Sequence, residues 1–178
     1  MYIHKELIIG DRSHHNYADF DTLSKLHLYS ELRILSISNA NIDNLVLRNC
    51  CPKLEILYLM NNNITNIDIK SPSLDTIVID NNRINTLKIR SCRDMYMNNN
   101  NINCVKIYKP VFMGIYKFKH NNISLLTLIN LHIYSLKFNN NFIDSLIMIN
   151  ICHWRGFMIH NMVINNIDDY DKIRNLRY

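Results

Sequence analysis

Glycine and proline are scarce, three of each in 178 residues, so the tight turns of any folded arrangement fall largely to other residues. Charge of one sign is also scarce. Twenty Lys and Arg against fifteen Asp and Glu leave a net +5, too mild and too dispersed to mark a nucleic-acid binder by charge alone. It gives only a slight tilt towards acidic partners. No apolar run reaches the length of a bilayer span, and the opening MYIHKELIIGDRSHH lacks the order of a signal peptide. The expectation is therefore an intracellular, cytoplasmic protein, with the nucleus also open to it. The five cysteines, Cys50, Cys51, Cys92, Cys104 and Cys152, form an odd set with no C-x-x-C pairs at zinc spacing. Neither a disulfide framework nor a structural zinc site follows, and reduced, mostly buried thiols are expected. A phosphate-binding glycine loop, a G-x-S-x-G elbow and an H-E-x-x-H helix are all missing.

Asparagine is abundant, with runs at Asn61 to Asn63, Asn98 to Asn101 and Asn139 to Asn141. It tolerates the left-handed backbone region and bonds its own backbone, so it can stand in for glycine at turns. These runs sit inside a repeat. LEILYLMNNNITNIDI starts at Leu54, LDTIVIDNNRINTLKI at Leu74, CRDMYMNNNNINCVKI at Cys92, MGIYKFKHNNISLLTL at Met113 and IYSLKFNNNFIDSLIM at Ile133. LRILSISNANIDNLVL from Leu32 and a worn copy from Trp154 flank them. Ile64, Ile84, Ile102, Ile123 and Ile143 recur two residues beyond an asparagine, a regularity that a low-complexity tract would not keep.

The seven starts lie 22, 20, 18, 21, 20 and 21 residues apart, too short for ankyrin or tetratricopeptide units. With this spacing and pattern the chain resembles the leucine-rich-repeat family from about Leu23 to Ile167. The resemblance implies a β-rich, right-handed leucine-rich-repeat solenoid of about seven to eight repeats. Leu23, Leu26 and Leu28 would supply the back half of an eighth turn. One domain over 1–178 is expected, with an N-terminal cap over 1–22, repeats over 23–167 and a C-terminal cap over 168–178. Leu7, Ile8 and Ile9 would form a strand in the first cap, and a short helix would close the second. The bias towards Asn, Ile, Lys and Tyr resembles that of an AT-rich genome, such as a large DNA virus or an intracellular parasite carries.

Within each unit the fourth and sixth positions, as in Leu57 with Leu59 and Ile77 with Ile79, alternate inward, which makes a parallel sheet on the concave face. The resemblance assigns Asn62, Asn82, Asn100, Asn121 and Asn141 to a structural asparagine ladder, each amide bonding the backbone of its own and the neighbouring turn. The return pairs Ile67 and Ile69, Leu87 and Ile89, Val105 and Ile107, Leu126 and Leu128 leave no room for a helix. Short extended segments or tight turns, and weak curvature, are expected on the convex face.

No catalytic constellation outweighs its structural reading, and no cofactor, metal site or small-molecule substrate is expected; the chain reads as a non-enzyme. His14 and His15 near Asp11 and Asp19 fit a solvated cap segment, Cys104 lacks a catalytic domain around it, and Trp154 at a repeat start reads as core. Residues between the inward positions form the outward ribbon. Ile56, Tyr58, Met60, Val78 and Tyr96 make an apolar patch on it, followed by Lys117, Lys119 and Lys137, with His160 at the far end of one column. This ribbon is expected to dock a protein partner offering an apolar anchor and acidic groups, with no membrane insertion. The alternative is an RNA-associated subunit of a ribonucleoprotein assembly. There the lysines, with Arg48, Lys70, Lys88, Arg90 and Lys106 on the outer strip, would meet phosphates, and Tyr58 or Tyr96 would stack a base.

Overall fold

The structure is a computed structural model. It describes residues 6–9, 17–18, 26–48, 50–90, 92–108, 114–149, 151–153, 157–160 and 163–168, with backbone alone at 17–18, 28, 152–153, 157–160 and 163–168. The strands in chain order are β1 (Glu6–Ile9), β2 (Tyr17–Ala18), β3 (Ile34–Ser38), β4 (Asn44–Arg48), β5 (Ile56–Met60), β6 (Asn66–Lys70), β7 (Thr76–Asp80), β8 (Arg83–Arg90), β9 (Asp94–Asn98), β10 (Asn101–Tyr108), β11 (Gly114–Lys119), β12 (Asn122–Ile129), β13 (His132–Asn139), β14 (Phe142–Ile149), β15 (Cys152–His153), β16 (Phe157–His160) and β17 (Val163–Asp168). They alternate between two sheets. The front sheet has ten strands in the order β15-β13-β11-β9-β7-β5-β3-β1-β2, with β16 also on β13, and the back sheet has seven in the order β17-β14-β12-β10-β8-β6-β4. Every pairing is parallel, as stacking of like units requires. The fold is a parallel β-solenoid of about five turns, and the described residues contain no α-helix.

Alternation of apolar residues drives the coil. Leu57 and Leu59 of β5, Ile77 and Ile79 of β7, and Met95 and Met97 of β9 are fully buried, and across the core Ile67 with Ile69, Leu87 with Ile89 and Val105 with Ile107 meet them. Each such side chain contributes about 1.5–3 kcal/mol through burial. No turn could retain this alone, because a single two-stranded coil leaves both ends of its core in water. In the next turn, on β11, Tyr116 and Phe118 replace the aliphatics. Phe118 stacks on Phe138 with ring centroids 5.1 Å apart, and the Tyr116 hydroxyl, taken out of water, donates to the Cys92 carbonyl at 2.9 Å.

The outer side is more regular than expected. Where short extended segments or turns were expected, a continuous seven-stranded sheet lies, with strands of five to eight residues. Parallel neighbours satisfy every rung's backbone only if consecutive turns keep register, and the returning segments do so from Asn66↔Thr86 to Ile129↔Ile149. Of the residues expected to form the back half of an eighth turn, Leu26–Leu28 is a 3-10 turn, with Tyr29 N–H bonding the Leu26 carbonyl at 3.0 Å. Leu23 lies outside the described residues. The expected strand over Leu7, Ile8 and Ile9 is present as β1, paired with β3. At the other end the chain is strand through Asp168 in β17, and the helix expected for the second cap falls outside the described residues.

Asparagine does two separate tasks at the front corner. Asn61, Asn81, Asn99 and Asn140, with His120, have φ between 52° and 55°, the left-handed region that scarce glycine would otherwise fill. The next residue in each unit is the inward ladder asparagine. Asn100 donates to the Ile79 carbonyl of the preceding turn and the Asn98 carbonyl of its own strand, both at 2.9 Å, and accepts from Asn82 N–H at 2.9 Å. Asn62, Asn82 and Asn141 repeat both donations, to Ile37 and Met60, Leu59 and Asp80, Phe118 and Asn139. Asn121 donates to Met97 O and to the Asn141 Oδ1. All five are buried. The opposite corner carries a second, shorter polar column: the Cys51 thiol reaches Leu26 O at 3.6 Å, the Ser71 hydroxyl reaches Cys51 O at 3.2 Å, and the Cys92 thiol reaches Asp94 O at 3.1 Å.

Candidate partner-docking face

The outward side chains of the front sheet fall into three columns fixed by strand register. The middle one runs Ser36, Tyr58, Val78, Tyr96, Lys117, Lys137 and Met158 on successive rungs. On one side of it lie Ile34, Ile56, Thr76 and Asp94, with Ile115 and Ser135 further on. On the other lie Ser38, Met60, Asp80, Asn98, Lys119, Asn139 and His160. Rungs in a parallel sheet are about 4.8 Å apart, so Tyr58, Val78 and Tyr96 are consecutive neighbours along the solenoid axis.

Ile56, Tyr58, Met60, Val78 and Tyr96 therefore gather into one patch, yet each is half-buried, because column neighbours shield one another. Lys117 and Lys119 are exposed and Lys137 is half-buried. The Lys117 ammonium sits 5.2 Å from the centroid of the Tyr96 ring, which joins the apolar and basic halves by a cation–π contact. His160 is in register with Asn139 through its backbone in β16; its side chain is outside the described residues. Burial, with Asp94 beside it, pushes the Tyr96 phenol above its ordinary value, so it stays protonated. Ser38 and Ser135, outward by alternation, are in fact buried.

Two acids share this face. The Asp80 carboxylate accepts from the backbone and side-chain nitrogens of Asn98 at 3.0 and 2.9 Å, and the Asp94 carboxylate accepts from Ile115 N–H at 2.9 Å. Both brace neighbouring rungs. Along the adjoining edge, Arg33–Glu55 and Asp75–Arg93 form ion pairs at 2.8 Å; being exposed, they fix rotamers more than they stabilise.

The most exposed large apolar side chains lie elsewhere: Val46 at 60%, with Ile149, Phe142 and Tyr134 at 43–44%. Val46, Phe142 and Ile149 belong to the back sheet, whose outward positions alternate as legibly as those of the front. Tyr134 takes the place held by Arg33, Glu55, Asp75 and Arg93 in earlier units. Among the described residues no three His, Cys, Asp or Glu side chains converge as metal ligands. His14 and His15 lie outside the described residues, as do Trp154 and the acids Asp11 and Asp19.

Against known protein families, curated proteins and solved structures the chain gives no match. The face has to be read from its own chemistry. A ribbon of apolar and aromatic groups, continuous with lysines, offers area and charge for docking.

The cysteines divide by environment. Cys51 and Cys92 are buried, and Cys50 and Cys104 half-buried. The adjacent Cys51 side chain lowers the Cys50 thiol to about 7, while burial raises Cys92 far above its ordinary value.

Proposed function

We propose that this chain is a leucine-rich-repeat solenoid, wound right-handed through about seven to eight units, that works as a non-catalytic protein-binding module. Winding is read from a general rule: crossovers between parallel strands of one sheet are overwhelmingly right-handed. The family reading rests on the recurring apolar spacing together with the asparagine column at one corner of the coil. Docking uses the front face. Its single strongest support is the run of Tyr58, Val78 and Tyr96 on consecutive rungs, ending where Lys117 covers Tyr96.

A partner lays an apolar anchor over Ile56, Tyr58, Met60, Val78 and Tyr96, and sets acidic groups against Lys117, Lys119 and Lys137. Tyrosine supplies area at small entropic cost, and the rim lysines act mainly on the association rate. A cytoplasmic setting suits a set of free thiols. The test is capture from native cell extract with the partner identified by mass spectrometry, followed by affinity measurement on the purified pair. The Tyr58→Ala, Tyr96→Ala double variant should weaken binding by at least about 30-fold, the size of a 2 kcal/mol hot spot. Unchanged affinity would remove this face from the interface.

A further inference from the structure

The back sheet carries a surface that the docking reading leaves unused. Register sets Arg48, Lys70, Arg90 and Tyr108 in one outward column, on four successive rungs. The adjoining column sets Asp68, Lys88 and Lys106 on three of the same rungs. Five cations and one acid leave +4 within this strip (5 − 1), against +5 for the whole chain. Five of the twenty basic residues, dispersed in sequence, are thus drawn together by the coil.

Asp68 does not cancel the strip so much as order it. Arg48 donates to the Asp68 carboxylate through Nε at 3.1 Å, and Arg90 reaches its other oxygen at 2.9 Å. One acid thereby holds two guanidiniums upright on either side of Lys70, and both keep further N–H donors facing out; their side chains stay 57% and 40% exposed. The third column of the same face, Asn44, Asn66, Thr86 and Cys104, bears no charge. The cationic zone is therefore two side chains wide and runs along the solenoid axis at about 4.8 Å per rung. Tyr108 closes it with a half-buried ring.

We infer that this strip binds the phosphate backbone of a single-stranded nucleic acid, with Tyr108 as a stacking platform for one base. A narrow line of cations matches an extended polyanion, whereas a planar membrane would call for charge spread in two directions. An acidic peptide would meet the lysines but has no flat base to place on Tyr108. Phosphate contacts supply affinity without sequence preference, and the ring adds a sequence-tolerant contact. This inference is independent of what docks on the front sheet.

The test is fluorescence anisotropy of the full chain with labelled oligo(U) and oligo(dT) of about twelve nucleotides. With four net charges engaged, raising salt from 50 to 200 mM should weaken binding about 50-fold, from a log–log slope near −2.8 for single strands. The triple variant Lys70→Gln, Lys88→Gln, Lys106→Gln leaves the Arg48–Asp68–Arg90 cluster intact and should flatten that slope to about −0.7. Tyr108→Ala should weaken binding about fivefold and leave the slope unchanged. The front-face triple Lys117→Gln, Lys119→Gln, Lys137→Gln should change neither quantity. No binding at 50 mM salt would overturn the inference. So would equal losses from the two triple variants, or oligo(U) bound no better than polyglutamate of the same charge or phosphatidylserine vesicles.

Discussion

Removing the Asn100 side chain tests the column on which the coil depends. Asn100→Ala deletes an amide that is 3% exposed and sits in the middle of the five-membered column. The consequences can be followed bond by bond. Asn98 O keeps a partner, because Asn81 N–H also reaches it at 3.1 Å. Asn121 Oδ1 keeps the backbone N–H of residue 100. Asn82 N–H loses the bond that Asn100 gave it, while Ile79 C=O loses the amide donor but keeps its place in the ladder at the Asp80↔Asn98 rung. One orphaned buried N–H puts the cost at about 1–3 kcal/mol. The assay is urea unfolding followed by far-ultraviolet circular dichroism, with Asn63→Ala as the control. Asn63 bonds Asn41 at 2.8 Å on the exposed side of the same corner, and its loss should stay within about 0.5 kcal/mol. Asn100→Asp sharpens the comparison, since a carboxylate presses lone pairs against the Ile79 and Asn98 carbonyls in place of N–H donors. Its folded pKa is then raised above the ordinary carboxylate value, so the penalty is full at neutral pH and eases as pH falls through that folded pKa. If Asn100→Ala costs no more than Asn63→Ala, the column is not what holds consecutive turns together.

Further outcomes follow from single contacts. Gly114→Ala would set a Cβ 1.7 Å from the Arg93 carbonyl oxygen, a backbone clash that no rotamer relieves, and should cost about 3 kcal/mol or more in the same urea titration. Tyr116→Phe removes the donor to the Cys92 carbonyl and should cost about 1–3 kcal/mol. Asp68 is held below the ordinary carboxylate range first by its bond to Arg48 and then by the charge of Arg90. Its stabilisation is present above the unfolded pKa and lost as pH falls through the depressed folded one, so the stability gap between wild type and Asp68→Asn should close on acidification, as read from acid titrations of both. Alkylation by iodoacetamide in the folded protein should modify Cys50 first, with a rate rising through pH of about 7, and should leave Cys92 untouched until unfolding.

The coil was legible in the sequence because its physics is local and repeated. Two inward residues per strand, an asparagine after each front strand and an isoleucine two residues later recur at nearly constant spacing, and a period of that kind admits stacking and little else. The three outward columns of the front sheet followed from alternation alone. The second sheet did not: Ile67 with Ile69 reads as an extended pair, and only the neighbouring turns decide whether such pairs hydrogen-bond into a sheet.

Sequence by itself determined which residues face inward, where the chain must turn and that asparagine would replace glycine there, since each depends on a few adjacent residues. Tertiary structure decided how distant units meet. It separated the left-handed asparagines from the buried ones, laid Lys117 over Tyr96, buried Ser38, and assembled Arg48, Lys70, Lys88, Arg90 and Lys106, scattered over some sixty residues of chain, into one strip. The reason is register: a residue's outward neighbours lie about twenty positions away, and where a unit longer or shorter by a residue or two takes up the difference, in a loop or in a shift such as that at Gly114 and Ile115, is settled when the turns stack.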